Sequence, residues 1–163
     1  MHHEVELGIV IGMQGRAIKE ADAMRHIAGY FIGLDFTNRD LQQFNASTGG
    51  DWPLAKGANS FAGVSDFVHK SELPDPANIE IELSVNGETR QSSSTSDLIF
   101  DIPTIIADIS KYQELREGDL IFTGTPSGVA KVQNGDQLTC SLRNGEDSGR
   151  SILATLDIRI AQQ

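Results

Sequence analysis

Apolar positions open the chain almost at once. Val5 to Gly12 reads Val-Glu-Leu-Gly-Ile-Val-Ile-Gly, with no polar side chain after Glu6, the pattern of a strand buried on both faces. Because this run follows Met1 by a few residues, either the chain starts inside a structural element or a segment upstream is missing. After a turn around Gly15, the residues Ala21, Met24, Ile27 and Ala28 recur at helical spacing. They predict a short amphipathic helix over 18–28, ended by Gly29. Tyr30 to Phe36 reads as a second buried strand, and a short helix is expected over 40–45. Residues 46–63, rich in Gly, Ser and Asn, read as a long loop holding Trp52 and Lys56. A loop of that length is usually functional.

The pattern then changes. Leu73-Pro74-Asp75-Pro76 is a firm breaker. Ile79 to Val85 alternates strictly, as a half-buried strand does, and Asn86-Gly87 is a hairpin turn that returns it through Thr89 and Gln91. Ser92 to Ser96 has no nucleophile-elbow pattern and is assigned to a hairpin or loop. Pro103 to Tyr112 carries Ile105, Ile106 and Ile109 on one helical stripe, with Pro103 placed at the start. Gly118-Asp119 leads a strand, Leu120 to Phe122, into the turn Thr123-Gly124-Thr125-Pro126-Ser127-Gly128, and closing strands follow over 136–142 and 151–160. The expected fold class is α+β, strand-rich, with two or three short helices.

A length of 163 residues gives one domain with its own core. Thirteen Lys and Arg against 23 Asp and Glu leave a net charge of −10. Nucleic acid and anionic membrane, which need a basic face, are therefore not expected partners. An acidic site that takes a cation fits this balance. Cys140 is the single cysteine, so no internal disulfide forms, which fits a reducing compartment. No stretch has the length of a membrane span or the form of a signal peptide, so secretion is not expected.

Glu4 and Glu6 are two apart on a strand, which puts both carboxylates on one face. Acidic residues are mostly exposed, so exposure of this end of the strand is the default reading. Asp35 ends the second apolar run; it either pairs with Arg39, caps the following helix, or adds a third carboxylate to Glu4 and Glu6. Three hard oxygen ligands favour Mg²⁺, Mn²⁺ or Ca²⁺ over Zn²⁺. Arg39 and Gln42 are three apart on a helix and share a face. The Thr123–Pro126 turn can aim backbone amides and a hydroxyl at an anion, although a structural turn is the default, and it is no Walker loop. Lys56, alone on a loop, reads as solvated by default. His26 and His69 have no ligand partner at metal spacing.

Five blocks occur in order: His3-Glu4-Val5-Glu6-Leu7-Gly8; Gly33-Leu34-Asp35-Phe36-Thr37-Asn38-Arg39-Asp40-Leu41-Gln42; Trp52 with Ala55-Lys56; Val85-Asn86-Gly87-Glu88; and Gly118-Asp119-Leu120-Ile121-Phe122-Thr123-Gly124-Thr125-Pro126-Ser127-Gly128-Val129. Together they resemble the fumarylacetoacetate hydrolase family, in its acylpyruvase and oxaloacetate decarboxylase branch. The resemblance spans nearly the whole chain and makes His2-His3 part of the family's own motif rather than a tag. It implies a mixed β-roll or sandwich, usually a homodimer, in the cytoplasm or in mitochondria. It implies Mg²⁺ or Mn²⁺ held by Glu4, Glu6 and Asp35, which reverses the default for the acidic pair. Lys56 would act at the metal site, with Gln42 beside it in catalysis, and Arg39, Gln42 and Thr125 would face a small 2-oxo acid substrate.

The implied activity is hydrolysis of a C–C bond in acylpyruvates, or decarboxylation of oxaloacetate. Alternatives on the same scaffold are an oxaloacetate or hydroxydienoate tautomerase or isomerase, and a non-catalytic metal-binding remnant. The chain is expected to be a single catalytic core over 1–163 without the family's N-terminal lid, whose His and Glu activate water. His3 is a poor substitute, since it lies on the opposite strand face from Glu4. The family's Gly-x-Pro-Trp is here Gly49-Gly50-Asp51-Trp52-Pro53, and its Gly after Val129 is Ala130.

Overall fold

The structure, a computed structural model, describes residues 1–73, 75–145 and 151–161. Its first sheet is built around β1 (Val5–Ile11), which pairs antiparallel with β2 (Ile27–Asp35) on one side and, across the sheet, with Leu120–Phe122 on the other. The short strands β3 (Ala62–Val64) and β4 (Val68–His69) extend β2. The second sheet contains β5 (Ile79–Val85), β6 (Glu88–Ser94), β8 (Gln137–Asn144) and β9 (Ile152–Arg159), in the order β6-β5-β8-β9. Leu120–Phe122, β7, completes the first sheet as β3-β2-β1-β7. All of these pairings are antiparallel.

The two sheets bury one shared core. Val5, Leu7 and Ile9 of β1, Tyr30, Ile32 and Leu34 of β2, and Ile79, Ile81 and Leu83 of β5 all belong to it, with Leu138, Cys140 and Leu142 of β8. Because side chains alternate along a strand, this arrangement sends Glu4, Glu6 and Gly8 to the other face of the first sheet. The sandwich therefore decides which residues of β1 are free to do chemistry.

Among the described residues, three short helices complete the α+β fold: α1 (Glu20–Ala23), α2 (Arg39–Thr48) and α3 (Ile102–Tyr112). The Asp101 side chain accepts from the Thr104 amide at 2.9 Å and caps α3, whose Ile106 is fully buried. The expected helix over 18–28 is mostly not formed. α1 has four residues, a 3-10 turn covers Met24–His26, and β2 starts at Ile27. Ile27 and Gly29 fill positions opposite Ile11 and Val10 in the sheet, so strand pairing overrides the helical spacing. Gly29 ends no helix; a Cβ there would lie 2.2 Å from the Val68 carbonyl oxygen.

The predicted loop over 46–63 is also more ordered than expected. α2 runs on to Thr48, a 3-10 turn spans Trp52–Ala55, and β3 begins at Ala62. Between β4 and β5 the breaker is a 3-10 turn, Lys70–Glu72, followed by buried Leu73; Pro74 lies outside the described residues. Ser92–Ser94 belong to β6 and a 3-10 turn follows at Thr95–Asp97. The Asn86-Gly87 turn forms as predicted, with φ of 53° and 83°, the left-handed pair that a two-residue hairpin requires.

Candidate metal centre

The outer face of the first sheet carries the acids. Glu6 projects from β1, Glu4 from the residue just before it, and Asp35 from the end of β2, where the Asp35 amide donates to the Glu4 carbonyl at 2.9 Å. One carboxylate oxygen from each of the three lies within 4.8 Å of the others. The default reading of exposed glutamates is overturned: Glu4 is 6% and Glu6 4% exposed. What covers them is α2 and the segment after it. Asn38 caps α2 by accepting from the Leu41 amide at 3.1 Å, which sets the helix start so that Arg39 and Gln42 face the sheet.

Two cations enter this acidic group. The Lys56 ammonium donates to Glu4 Oε2 at 2.8 Å and also to Asp35 Oδ2. Arg39 donates to Glu4 Oε1 through one guanidinium nitrogen and to Gln42 Oε1 through another. So Lys56 is not solvated, and Asp35 pairs with Lys56 rather than Arg39 or a helix cap. Glu6 takes its bond from elsewhere: the Gly124 amide donates to its Oε2 at 2.6 Å. Gly124 sits at φ +106°, a conformation other residues rarely adopt, and this turns its N–H toward the carboxylate.

The electrostatics divide the two glutamates. Burial alone would raise Glu4, but the hydrogen bond and charge of Lys56, aided by Arg39 and Thr37, outweigh it and hold Glu4 below the usual carboxylate range. Burial lifts Glu6 to about 7; the Gly124 amide opposes this and the nearby Asp35 charge adds to it. For Lys56, burial works to lower the value, but Asp35 and Glu4 overcome it and raise the ammonium above its ordinary range.

Thr125 stands at the edge of the site with its hydroxyl engaged. It donates to the Val5 carbonyl at 2.8 Å and accepts from Gln91 Nε2 at 2.8 Å. Gln91 was not singled out from the sequence. An unbroken hairpin from Asn86-Gly87 would put Arg90 opposite Leu83 and turn Gln91 outward. The structure instead pairs Leu83 with Gln91, through a bulge between Leu83 and Ser84. Only a register shift of this kind, which leaves no mark in the residue pattern, brings Gln91 inward.

The donor set suits a hard divalent ion. Three carboxylates supply oxygen ligands without a thiolate or imidazole among them, a chemistry that fits Mg²⁺ or Mn²⁺. Two glutamates and an aspartate this close repel one another unless positive charge lies between them.

Comparison with known proteins follows the same lines. The family model described as fumarylacetoacetate (FAA) hydrolase C-terminal matches residues 1–157. The chain is 48% identical over 142 residues to the mitochondrial oxaloacetate tautomerase FAHD1 of Mus musculus, covering 87% of this chain and 64% of that protein. It is 43% identical over 142 residues to the mitochondrial oxaloacetate decarboxylase of Dictyostelium discoideum, covering 87% of this chain and 65% of that one. Among solved structures, fumarylpyruvate hydrolase from Pseudomonas aeruginosa, in complex with Mn²⁺ and pyruvate, superposes with a TM-score of 0.90 at 34% identity, over 99% of this chain and 66% of that chain. The chain thus spans just under two thirds of the length of these relatives.

Proposed function

The chain belongs to the fumarylacetoacetate hydrolase family, and on that premise we propose that it is a divalent-metal-dependent enzyme of small 2-oxo acids, with keto–enol interconversion of oxaloacetate as its reaction. The observation that carries this reading is the group of buried Glu4 and Glu6 with half-buried Asp35, with Lys56 and Arg39 set into it. The proposed cofactor is Mg²⁺ or Mn²⁺, held by those three carboxylates. When bound, it would supply Lewis-acid polarisation of the substrate's oxygens. Arg39 and Gln42, which share one face of α2, bind the substrate carboxylate. Lys56 stands as a protonated ammonium where negative charge develops on the keto oxygen and stabilises the enolate there, while the proton that leaves carbon is taken up by solvent water and returned to the oxygen as the enol forms. Thr125 has its proton committed to Val5, so toward substrate it offers an acceptor oxygen at most. Catalysis is assigned to Lys56 and Gln42, and substrate binding to Arg39, Gln42 and Thr125.

Tautomerisation moves one proton and needs no attacking water, and the relatives at 46–48% identity bear the name oxaloacetate tautomerase. Hydrolysis or decarboxylation is the second reading, supported by the decarboxylase and fumarylpyruvate hydrolase relatives. The compartment is proposed as mitochondrial or cytoplasmic, following relatives named as mitochondrial. No helix of the described residues is long and apolar enough to cross a membrane. The assay follows enol oxaloacetate by ultraviolet absorbance and pyruvate release from oxaloacetate and from acetylpyruvate, each with and without Mn²⁺ and against Mn²⁺ alone. Metal-dependent loss of the enol signal without pyruvate release supports the first reading. Pyruvate release from either substrate beyond that with Mn²⁺ alone supports the second, and no metal-dependent change in any signal beyond that with Mn²⁺ alone contradicts both.

A further inference from the structure

Glu4 and Glu6 point outward from the first sheet, while the strand that carries them is held from behind by a side chain of the second sheet. Gln91 of β6 lies between the sheets, 1% exposed. Its Oε1 accepts from the Val5 amide at 3.2 Å and from His3 Nδ1 at 2.9 Å; its Nε2 donates to Thr125 Oγ1 at 2.8 Å and to the Pro126 carbonyl at 2.9 Å. This uses all the bonding capacity of a glutamine amide. Its orientation follows from chemistry, since an amide N–H can only donate and a carbonyl can only accept. His3 then presents its Nδ1–H to Gln91, and Thr125 sends its own proton to Val5.

We propose that Gln91 is a positioning residue for the metal-binding carboxylates, an inference that rests on the divalent-cation reading of the triad. His3 and Val5 flank Glu4 in the chain, so Gln91 holds the His3 ring on one side of that ligand and the Val5 backbone on the other. The same amide grips the turn whose Gly124 amide holds Glu6. Lys56 bridges Glu4 and Asp35 across the two strands, while Glu6 takes its bond from the Gly124 amide of the turn. A clamp from the opposite sheet fixes the Glu4 segment against the turn that holds Glu6, and so sets the spacing of these two carboxylates whether or not a divalent cation lies between them. Two features of the backbone exist to make this clamp reach. The bulge in the β5–β6 pairing turns Gln91 inward. Gly128 then lets the 123–128 turn close on the bulged strand, where a Cβ would stand 2.1 Å from the Arg90 carbonyl oxygen and 3.2 Å from Gln91 Cγ.

The test compares Gln91→Met, Gln91→Glu and a control, Thr95→Val. Thr95 is a buried residue whose hydroxyl bonds the Ile79 amide and the Pro76 carbonyl rather than β1 or the turn. Mn²⁺ affinity is read from the free-ion electron paramagnetic resonance signal, and amide hydrogen exchange is read on the chelated protein. Gln91→Met is expected to weaken Mn²⁺ at least tenfold, as loss of an outer partner of a metal ligand does. Gln91→Glu, which keeps the acceptor oxygens, falls in between, and Thr95→Val stays within twofold of the native chain. The Val5 amide and the turn amides exchange faster in Gln91→Met and not in Thr95→Val. If Gln91→Met does not fold, Gln91→Glu is compared with Thr95→Val in its place, a threefold or larger loss supporting the proposal. Unchanged affinity with unchanged exchange, or an equal loss in Thr95→Val, overturns it. Should the native chain bind no Mn²⁺, the metal reading fails by itself. The exchange data then decide on Gln91: faster exchange at Val5 supports the clamp and unchanged exchange overturns it.

Discussion

Glu6 and Lys56 carry opposite electrostatic duties at one site, and each gives a separate expectation. Glu6 is raised from 4.5 to about 7, chiefly by burial. Between those values the folded metal-free chain binds more protons than the unfolded one, so its stability falls as pH rises through this window. The loss from this one group is on the order of 3 kcal/mol. Glu4 acts the other way: its lowered value gives stability that is present above 4.5 and lost as the pH falls below it. Thermal unfolding in chelator at pH 5 and pH 7.5 checks the Glu6 effect. Excess Mg²⁺ should reverse the loss at the higher pH, because the ion binds the ionised carboxylate. Lys56→Met should slow oxaloacetate interconversion by roughly 10²–10³-fold, the scale of a lost charge-stabilising donor. The same variant should bind Mn²⁺ at least as tightly as the native chain, since it removes a cation that sits among the ligands. Titrations of both proteins separate the two effects.

At the scale of elements, the site depends on how β1 packs on its outer face. Gly8 follows the two glutamates there, and a Cβ on it would lie 2.0 Å from the Phe31 ring, which itself meets Phe122 edge-on with centroids 5.3 Å apart. The aromatic pair fills the space beside the carboxylates that Gly8 leaves. Gly8→Ala should destabilise the protein by roughly 1–3 kcal/mol through overpacking. Adding Phe31→Leu should recover part of that loss, and a denaturant double-mutant cycle reads the coupling. The elements differ in how much the residue pattern reveals of them. β5 and its hairpin are plain in it, because strict alternation and Asn86-Gly87 are local signals. The helix expected over 18–28 is not, because Ile27 is buried in either conformation and pairing with Ile11 decides between them. Glu4, Glu6 and Asp35 are legible as acids on apolar strands, but the cover over Glu4 comes from Arg39 of α2 and from Lys56, 35 and 52 residues away. Gln91 is hidden by a bulge.

At the scale of the molecule, two sheets share one core and leave the acids on the far face of the first. The net charge of −10 has a local counterpart in this buried group. Ile99 and Phe100 are 92% and 63% exposed beside one another, and the homodimer that the sequence resemblance leads one to expect is tested there. Light scattering should give twice the chain mass for the native protein and a single chain mass for Ile99→Asp. The central claim is that Glu4, Glu6 and Asp35 make this chain a metal-dependent catalyst of 2-oxo acid chemistry. Its most direct test is the rate of enol-to-keto conversion of oxaloacetate by the native chain and by Glu6→Gln, each with Mn²⁺ and with chelator. The account predicts acceleration by the native chain with Mn²⁺, and loss of it in chelator and in Glu6→Gln under both conditions. An equal acceleration by Glu6→Gln, or by the native chain in chelator, would contradict it.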